Sequence, residues 1–499
     1  MSIKKLAGQT MWYGLSSILA RFLNYLLTPF LTAILATEAY GEMSLVYSWI
    51  PFLNVLFTYG METAFFRFSN KEADGSKVFD TISVSILAST LILTLALLLG
   101  RDAFATLLRL REHPEFLTWA AYIIALDTLS AIPYARLRNE GRPVKYAMIR
   151  IAGILINIGL VFFFYSALPG IARNNPGSFL AGWYDPGMGA GYVIIANLVQ
   201  SAVTLLLLSK EFFSFRFRLD RALWKQLMIY AMPVMIAGFG GMINETFDRI
   251  MLGWLAPVGS EAAAAREVGI YSACYKLSLL ITLFIQAFRM GAEPFFFRQA
   301  KGEDAPKTYA RVMYYFVITV CVMFLFVMLY IDIWKHFIQN REMWTGLKVV
   351  PLLLLANMFL GIYFNISIWY KLSQRPTAGA IITFTGAAIT LLVNFLFIPR
   401  YSYMACAWAT LACYGSMMII SYIWGQKVYP VPYRTGRLLG YIGATLGVYA
   451  LHVFAGAYLE SANGRIVAGT VLLLVFLGFV VLRERTQLKR LPVLGRFIP

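Results

Sequence analysis

The sequence predicts an all-α integral membrane protein with 14 transmembrane helices. The chain has 499 residues, of which 59% are hydrophobic and 14% charged, whereas soluble domains carry roughly 25% charged residues. The apolar residues occur in repeated runs of about 20, the length at which a helix spans a bilayer. The composition therefore indicates a polytopic membrane protein with no separate soluble domain.

The first predicted span follows Lys4 and Lys5, and its apolar run is too long for the core of a signal peptide, so we interpret it as a retained helix. The predicted spans are 10–36, 42–66, 79–100, 116–136, 146–168, 190–209, 226–255, 268–294, 309–331, 347–370, 377–397, 403–424, 438–458 and 464–482.

The distribution of basic residues predicts the orientation of the chain. Of the 43 Lys and Arg residues, 29 fall in the termini and in loops on the same side as the termini, and 10 fall on the other side. Cytoplasmic loops carry the excess of Lys and Arg, so both termini are expected in the cytoplasm. An even number of spans agrees with this orientation. The net charge of +18 is thereby explained without a nucleic-acid partner.

Two segments of the sequence, 40–68 and 268–299, resemble each other. The residues shared at equal spacing are Gly41, Ser44 and Tyr47 with Gly269, Ser272 and Tyr275, and Glu62, Phe65, Phe66 and Arg67 with Glu293, Phe296, Phe297 and Arg298. Span 2 therefore pairs with span 8, and the even separation gives both the same orientation. This pattern predicts two parallel six-helix repeats, 1–220 and 221–427, followed by two extra helices and a basic tail in 428–499.

Ionisable residues inside the spans are candidate functional residues, because a charge at membrane depth needs a partner, water or a ligand. Arg21 lies near the middle of span 1 and Asn24 is about one turn further on the same face. Arg21 is suited either to holding a diphosphate through its planar donors or to pairing with Asp127 in span 4. Asp127 is itself a candidate for binding a coupling ion.

Span 7 and span 8 carry a second group of charges. Lys276 is suited to proton release or to binding an anionic lipid head, or else it pairs with Glu245. Glu245, Asp248 and Arg249 share one face of span 7, and the spacing of Glu245 and Arg249 favours an intrahelical ion pair. These three residues form either a structural pair or a gate.

Charges also recur near the predicted cytoplasmic ends of both repeats. Glu62 with Arg67, and Arg289 with Glu293, are candidates for an inner latch, the alternative being side chains that extend to the interface. The four cysteines all lie in apolar runs, and the three histidines are far apart. We therefore expect free thiols, no metal site and no cofactor.

Several of these motifs resemble the polysaccharide-exporter and oligosaccharide-flippase branch of the multidrug/oligosaccharidyl-lipid/polysaccharide (MOP) superfamily. They are Asp248-Arg249 followed by Leu252-Gly253, the run from Val268 to Leu277, the run from Glu293 to Gln299, Arg21 inside the first span, and the segment Gly60–Ser69. The resemblance covers the whole chain. It implies two six-helix bundles around a cavity, and the flipping of undecaprenyl-diphosphate-linked oligosaccharide, such as an O-antigen unit of lipopolysaccharide, across a bacterial inner membrane. It also implies glycan-polymerase and chain-length partner proteins.

Two other functions compete with a flippase. A membrane enzyme of envelope-glycan synthesis, such as a polymerase or transferase, needs an acid or base in a sizeable loop. No metal-ligand spacing occurs in the sequence, and the internal repeat favours transport. A drug or metabolite antiporter of the same superfamily is the other alternative. The mid-membrane charge is basic rather than acidic, which favours an anionic substrate.

The predicted topology is testable with a phosphatase reporter that is active only in the periplasm. A fusion after residue 499 should be inactive, and a fusion within 170–188 should be active, because the charge bias places them on opposite sides. The reverse pattern of activity would refute this orientation.

Overall fold

The computed structural model describes residues 3–69, 75–300, 302, 304–459 and 461–488. All regular structure within these ranges is helical. This agrees with the requirement that a chain in lipid satisfies its own backbone hydrogen bonds. Lys71, Lys301, Lys489, Arg490 and Arg496, which enter the count of basic residues above, lie outside the described residues.

The α-helices are numbered in chain order. Those of the first 212 residues are α1 (Ile3–Leu26), α2 (Thr28–Ile34), α3 (Thr37–Thr58), α4 (Met61–Ser69), α5 (Gly75–Leu99), α6 (Arg101–Leu107), α7 (Pro114–Asn139), α8 (Pro143–Phe162), α9 (Leu168–Asn174), α10 (Gly191–Leu207) and α11 (Ser209–Phe212). Those that follow are α12 (Arg221–Leu255), α13 (Glu261–Gln299), α14 (Ala305–Met328), α15 (Ile331–Trp334), α16 (Val350–Ile366), α17 (Ile368–Leu372), α18 (Pro376–Tyr401), α19 (Tyr403–Val428), α20 (Thr435–Gly456) and α21 (Ala462–Leu488).

Short π- and 3-10 helices lie between some of the α-helices. They are a π-helix at Phe163–Ala167, which joins α8 to α9, and 3-10 helices at Ala181–Trp183, Pro186–Met188, Lys335–Phe337 and Arg341–Val349.

Twelve helical segments within the described ranges are long and apolar enough to cross a membrane. They coincide with all but two of the predicted spans. Span 42–66 corresponds to α3 and α4, which are separated where Tyr59 and Gly60 adopt positive φ, and span 190–209 corresponds to α10, of 17 residues. The all-α membrane class is thus confirmed, whereas the count of 14 spans and the cytoplasmic termini stay predictions.

The chain divides into two compact units. The first comprises 1–276, 340–346 and 377–413, and the second comprises 277–339, 347–376 and 414–499. In the first unit, α10 packs on α7 and α8, α1 packs on α8, and α12 packs on α3. In the second unit, α14 packs on α16 and α20, and α20 packs on α21.

The two repeated segments meet at equivalent glycines in the first unit. A Cβ on Gly41 would lie 1.7 Å from the carbonyl oxygen of Ala265, and a Cβ on Gly269 would lie 2.2 Å from the carbonyl oxygen of Thr37. Thr37 and Ala265 each precede their repeat's glycine by four residues. The contact is therefore reciprocal, as it is between two elements related by a two-fold axis. Only a residue without Cβ allows α3 and α13 to approach this closely.

Polar contacts fix α21 within the second unit. Near its start, Arg465 Nε donates to Asp332 Oδ2 at 2.6 Å. That hydrogen bond, with a second one from Lys335, lowers the pKa of the Asp332 carboxyl. Near the other end, the buried Glu484 accepts hydrogen bonds from the hydroxyls of Tyr314 and Tyr441. The carboxylates thus secure both ends of this helix.

Replacing Gly41 by Ala should lower the thermal stability of the purified protein. Overpacking of this kind costs about 1–3 kcal/mol, which corresponds to about 1–3 °C in melting temperature for a chain of this size. Gly159→Ala is the matched control, because a Cβ there meets nothing within 4 Å and alanine is the better helix former. Tryptophan fluorescence during heating in detergent measures both variants, and equal melting temperatures would argue against the tight contact.

Candidate functional site

Arg249 lies in α12 and forms a buried ion pair with its neighbour in the sequence. Its Nη1 donates to Asp248 Oδ1 at 3.2 Å and to the carbonyl oxygen of Glu245 at 3.1 Å. The side chains of Arg249 and Asp248 are 12% and 6% exposed. The other carboxylate oxygen of Asp248 accepts a hydrogen bond from the Tyr271 hydroxyl at 2.6 Å. Arg249 therefore pairs with Asp248, whereas the spacing in the sequence favoured Glu245, whose side chain is exposed.

Aromatic rings complete the surroundings of this guanidinium. The Arg249 Cζ atom lies 4.2 Å from the ring centroid of Tyr275 and 5.6 Å from that of Tyr271. Both distances fall within the range of a cation–π interaction. Tyr275 is one of the residues shared by the two repeats. The Arg249 charge is thus compensated by one carboxylate and two rings.

Lys276 adds a second positive charge beside this cluster. It follows Tyr275 in α13, and Arg249 is the charged group that acts on it. No ion pair or hydrogen bond in the part of the chain that the structure describes involves Lys276. The alternative pairing of Lys276 with Glu245 is not formed. The group consisting of Asp248, Arg249 and Lys276 therefore carries one positive charge in excess.

Arg21 and Asn24 lie in α1, and both side chains are exposed. Neither takes part in an ion pair or hydrogen bond among the residues whose side chains are described. The alternative in which Arg21 is the structural partner of Asp127 is therefore not formed. Both side chains are accessible to a ligand.

Asp127 lies in the middle of α7, partly buried. Its polar neighbours are Ser201 of α10 and Arg150 of α8. The guanidinium of Arg150 donates to Ser17 Oγ of α1 at 3.2 Å. The cation near Asp127 is thus Arg150, and neither Arg21 nor Lys276 acts on this carboxylate.

Glu62 and Arg67 do not pair with each other. The Arg67 Cζ atom lies 4.3 Å from the ring centroid of Tyr230. Glu62 Oε1 instead accepts a hydrogen bond from Arg138 Nη1 at 2.6 Å. Residues five apart on a helix are about 140° apart around its axis, so their side chains diverge. Glu62 and Arg67 therefore contact different partners.

Arg289 and Glu293 contact each other and a third residue. Arg289 Nη2 lies 3.3 Å from Glu293 Oε1, and the Lys371 ammonium donates to the same oxygen at 2.7 Å. The Arg289 guanidinium also lies 3.8 Å from the ring centroid of Phe364.

The two glutamates shared by the repeats thus have equivalent partners. Glu62 lies near the end of span 2 and bonds to Arg138, just after span 4. Glu293 lies near the end of span 8 and bonds to Lys371, just after span 10. Each pair lies within one compact unit. A latch between the repeats, predicted for these charges, stays a prediction.

Sequence reasoning missed Arg150, Arg138, Lys371 and the tyrosines around Arg249. Arg150 was grouped with the loops, although it lies two turns inside α8. Its depth in the apolar run was the available signal. Arg138 and Lys371 carry no local signal, because their partners are distant in the sequence. Among the described residues, no group of three or more His, Cys, Asp or Glu side chains could hold a metal ion.

The amino-acid sequence matches a family of known proteins. The model of a family described as "Polysaccharide biosynthesis protein" matches residues 6–300, more than half of the chain. The chain belongs to this polysaccharide biosynthesis protein family. A search among curated proteins gave no match.

Solved structures show the fold of this polysaccharide biosynthesis protein. The lipid II flippase MurJ, in an inward closed conformation, matches with a TM-score of 0.68 and 13% identity, covering 95% of this chain and 99% of that one. A MATE family multidrug resistance transporter of the MOP superfamily, in an inward-facing conformation, matches with a TM-score of 0.63 and 14% identity, covering 88% and 99%. The chain thus shares the fold of these transporters, as the resemblance implied.

Replacing Arg249 by Ala should lower the amount of this polysaccharide biosynthesis protein in the membrane. The change leaves the Asp248 carboxylate buried without its cation, and breaking such a pair typically costs about 3–5 kcal/mol. Arg101→Ala is the matched control, because Arg101 pairs with its neighbour Asp102 at 3.1 Å but the two side chains are 47% and 82% exposed. Quantitative immunoblotting of membranes measures both, and equal abundance of the two variants would contradict a stabilising role.

Proposed function

We propose that this protein is a flippase that moves undecaprenyl-diphosphate-linked oligosaccharide from the cytoplasmic to the periplasmic leaflet of a bacterial inner membrane by alternating access, coupled to an ion gradient. Membership of the polysaccharide biosynthesis family and the fold shared with a lipid II flippase support a lipid-linked glycan as substrate. Glycan-polymerase and chain-length proteins are the expected partners, because they would act on the exported units.

The observation that carries the proposal is the excess positive charge at Lys276. Arg249 is compensated by Asp248, whereas Lys276 lies next to it with no carboxylate partner among the described residues. A cation in the membrane without a partner is stabilised by an anionic ligand or by water. A diphosphate supplies about two negative charges and strong acceptor oxygens, which suits such a group. Arg21 and Asn24, accessible on α1, supply further donors from the first repeat.

A multidrug antiporter is the second candidate, because the fold is also that of MATE transporters. Such a transporter for cationic drugs would place acidic groups in its cavity. Arg21 and Lys276, which form no ion pair among the described residues, are basic, whereas the exposed Glu245 of span 7 is acidic. An assay of cationic-dye export distinguishes the two functions, since a flippase for an anionic head should not alter resistance or dye accumulation.

Arg21→Ala and Lys276→Ala should each reduce delivery of glycan to the cell surface by about tenfold or more at normal protein abundance. The reason is the loss of charge-assisted hydrogen bonds to the diphosphate, worth about 1.5–3 kcal/mol each. Arg21→Lys should be intermediate, because it keeps the charge and loses the planar donors. Surface glycan per unit of membrane protein is the measurement.

Lys225→Ala is the control for both variants, since Lys225 is an exposed basic residue at the polar start of α12. Normal export by Arg21→Ala would show that the diphosphate is not held by this residue. Normal export by Lys276→Ala would remove the principal argument for an anionic substrate.

Asp127→Asn should abolish the dependence of transport on an ion gradient while leaving substrate binding nearly intact. Asp127 lies among groups suited to hold a proton or a cation: the hydroxyls of Ser201 and Tyr47, and Asn197, whose Nδ2 donates to Tyr47 at 3.1 Å. Transport into vesicles with and without an imposed gradient measures the coupling. If the Asn variant kept its gradient dependence, Asp127 would be a structural residue.

A further inference from the structure

Three arginines surround a cavity between the two C-terminal helices. The cavity has a volume of about 550 Å³, and its walls come from the segment before α20, the first turns of α20 and the last turns of α21. Arg434, Arg437 and Arg483 line it, together with Tyr433 and Phe479. We name it the C-terminal arginine pocket.

The charges of this pocket are not compensated by neighbouring carboxylates. No ion pair within the described ranges involves Arg434, Arg437 or Arg483, and the Arg483 guanidinium lies 5.8 Å from the ring centroid of Phe479. The nearest acidic residue in the sequence, Glu484, is buried and accepts hydrogen bonds from Tyr314 and Tyr441. Residues 489–499 contain no Asp or Glu. The pocket therefore presents about three positive charges to whatever fills it.

The backbone of α20 leaves the pocket open to a ligand. Gly436 and Gly440 both line the pocket, and a Cβ on either would meet nothing within 4 Å. Glycine inside a helix costs about 1 kcal/mol relative to alanine, and packing does not require it at these positions. The residue before the helix, Arg434, makes no side-chain hydrogen bond to the first backbone amides. Arg437 N donates to the Arg434 carbonyl oxygen, so the amides of Thr435 and Gly436 are the ones available to an anion.

The position of the pocket favours a lipid over a soluble anion. Leu439 and Leu482, next to the pocket-lining residues, are 66% and 76% exposed. Large apolar side chains with this exposure on a membrane-spanning helix are expected to face lipid. By the charge distribution of the sequence, the pocket lies at the cytoplasmic surface, where anionic lipids attract clustered Lys and Arg.

We propose that the C-terminal arginine pocket binds the phosphate head group of an anionic phospholipid. The guanidinium groups provide paired donors that match phosphate oxygens. Tyr433 and Phe479 cover the glycerol region, and the acyl chains extend along the apolar outer surface of α20 and α21. This site is independent of the mid-membrane charges at Lys276 and Arg249, and it does not depend on the transported substrate.

Native mass spectrometry of the full-length protein tests this proposal. The protein is released from bilayers with equal amounts of phosphatidylglycerol and phosphatidylcholine. The wild type should retain phosphatidylglycerol at least about threefold in excess. The triple variant R434A/R437A/R483A should lose this preference, and the control R218A/R221A/K225A, which removes three exposed basic residues on the same predicted side, should retain it.

A second variant, Gly440→Leu, tests the cavity without changing any charge. The leucine side chain has open space at this position, so the protein should fold, and it should lose the preference for phosphatidylglycerol. Retention of the preference by either pocket variant, at a wild-type melting temperature, would overturn the proposal.

Inorganic phosphate is the third arm. If excess phosphate raised the melting temperature of the lipid-free wild type as much as phosphatidylglycerol does, the site would be one for soluble phosphate and the lipid assignment would be wrong.

Discussion

Compensation of charge inside the membrane is the constraint on which the rest of this structure depends. Helices satisfy the backbone, so the remaining cost comes from side chains that carry charge at membrane depth. Asp248 compensates Arg249, and Glu293 compensates Lys371 together with Arg289. Asp248 and Arg249 are neighbours on α12, whereas the Glu293–Lys371 pair joins α13 to α17. Arg21 and Lys276 lack a carboxylate partner among the described residues, and the proposed function starts from Lys276.

The internal repeat constrains how the pairs are arranged. Gly41 and Gly269 hold α3 and α13 in reciprocal contact in the first unit. Glu62 and Glu293, which are also equivalent, each bond to a basic residue two spans further along the chain. Phe65 and Phe296 are buried to a similar degree, at 2% and 3% exposure. The residues shared at these positions are therefore those that set helix contacts, whereas Lys276 has Ser48 at the equivalent position of the first repeat.

Helix positions could be predicted from the sequence, while partners across helices could not. Apolar runs of about 20 residues determine where a helix can lie, and repeated spacing identified the equivalence of spans 2 and 8. The ion pairs between helices depend on which helices pack together, and no local sequence pattern encodes that packing. The i,i+4 spacing of Glu245 and Arg249 favoured a pair, but Asp248 is buried beside Tyr271 and takes the guanidinium instead. Arg138 and Lys371 were missed because their glutamates are 76 and 78 residues away.

The contrast between Arg249 and Lys276 indicates which cation can act on a substrate. Arg249 is held by a carboxylate and two tyrosine rings, so moving it toward a ligand would break several interactions at once. Lys276 has no such partners in the described structure, and its flexible stem carries three rotatable donors. Repulsion from Arg249 raises the energy of the unliganded site, and an arriving anion relieves it. In the proposed function, the fixed arginine thus makes its neighbour a better anion site, and the buried ion pair serves binding as well as stability.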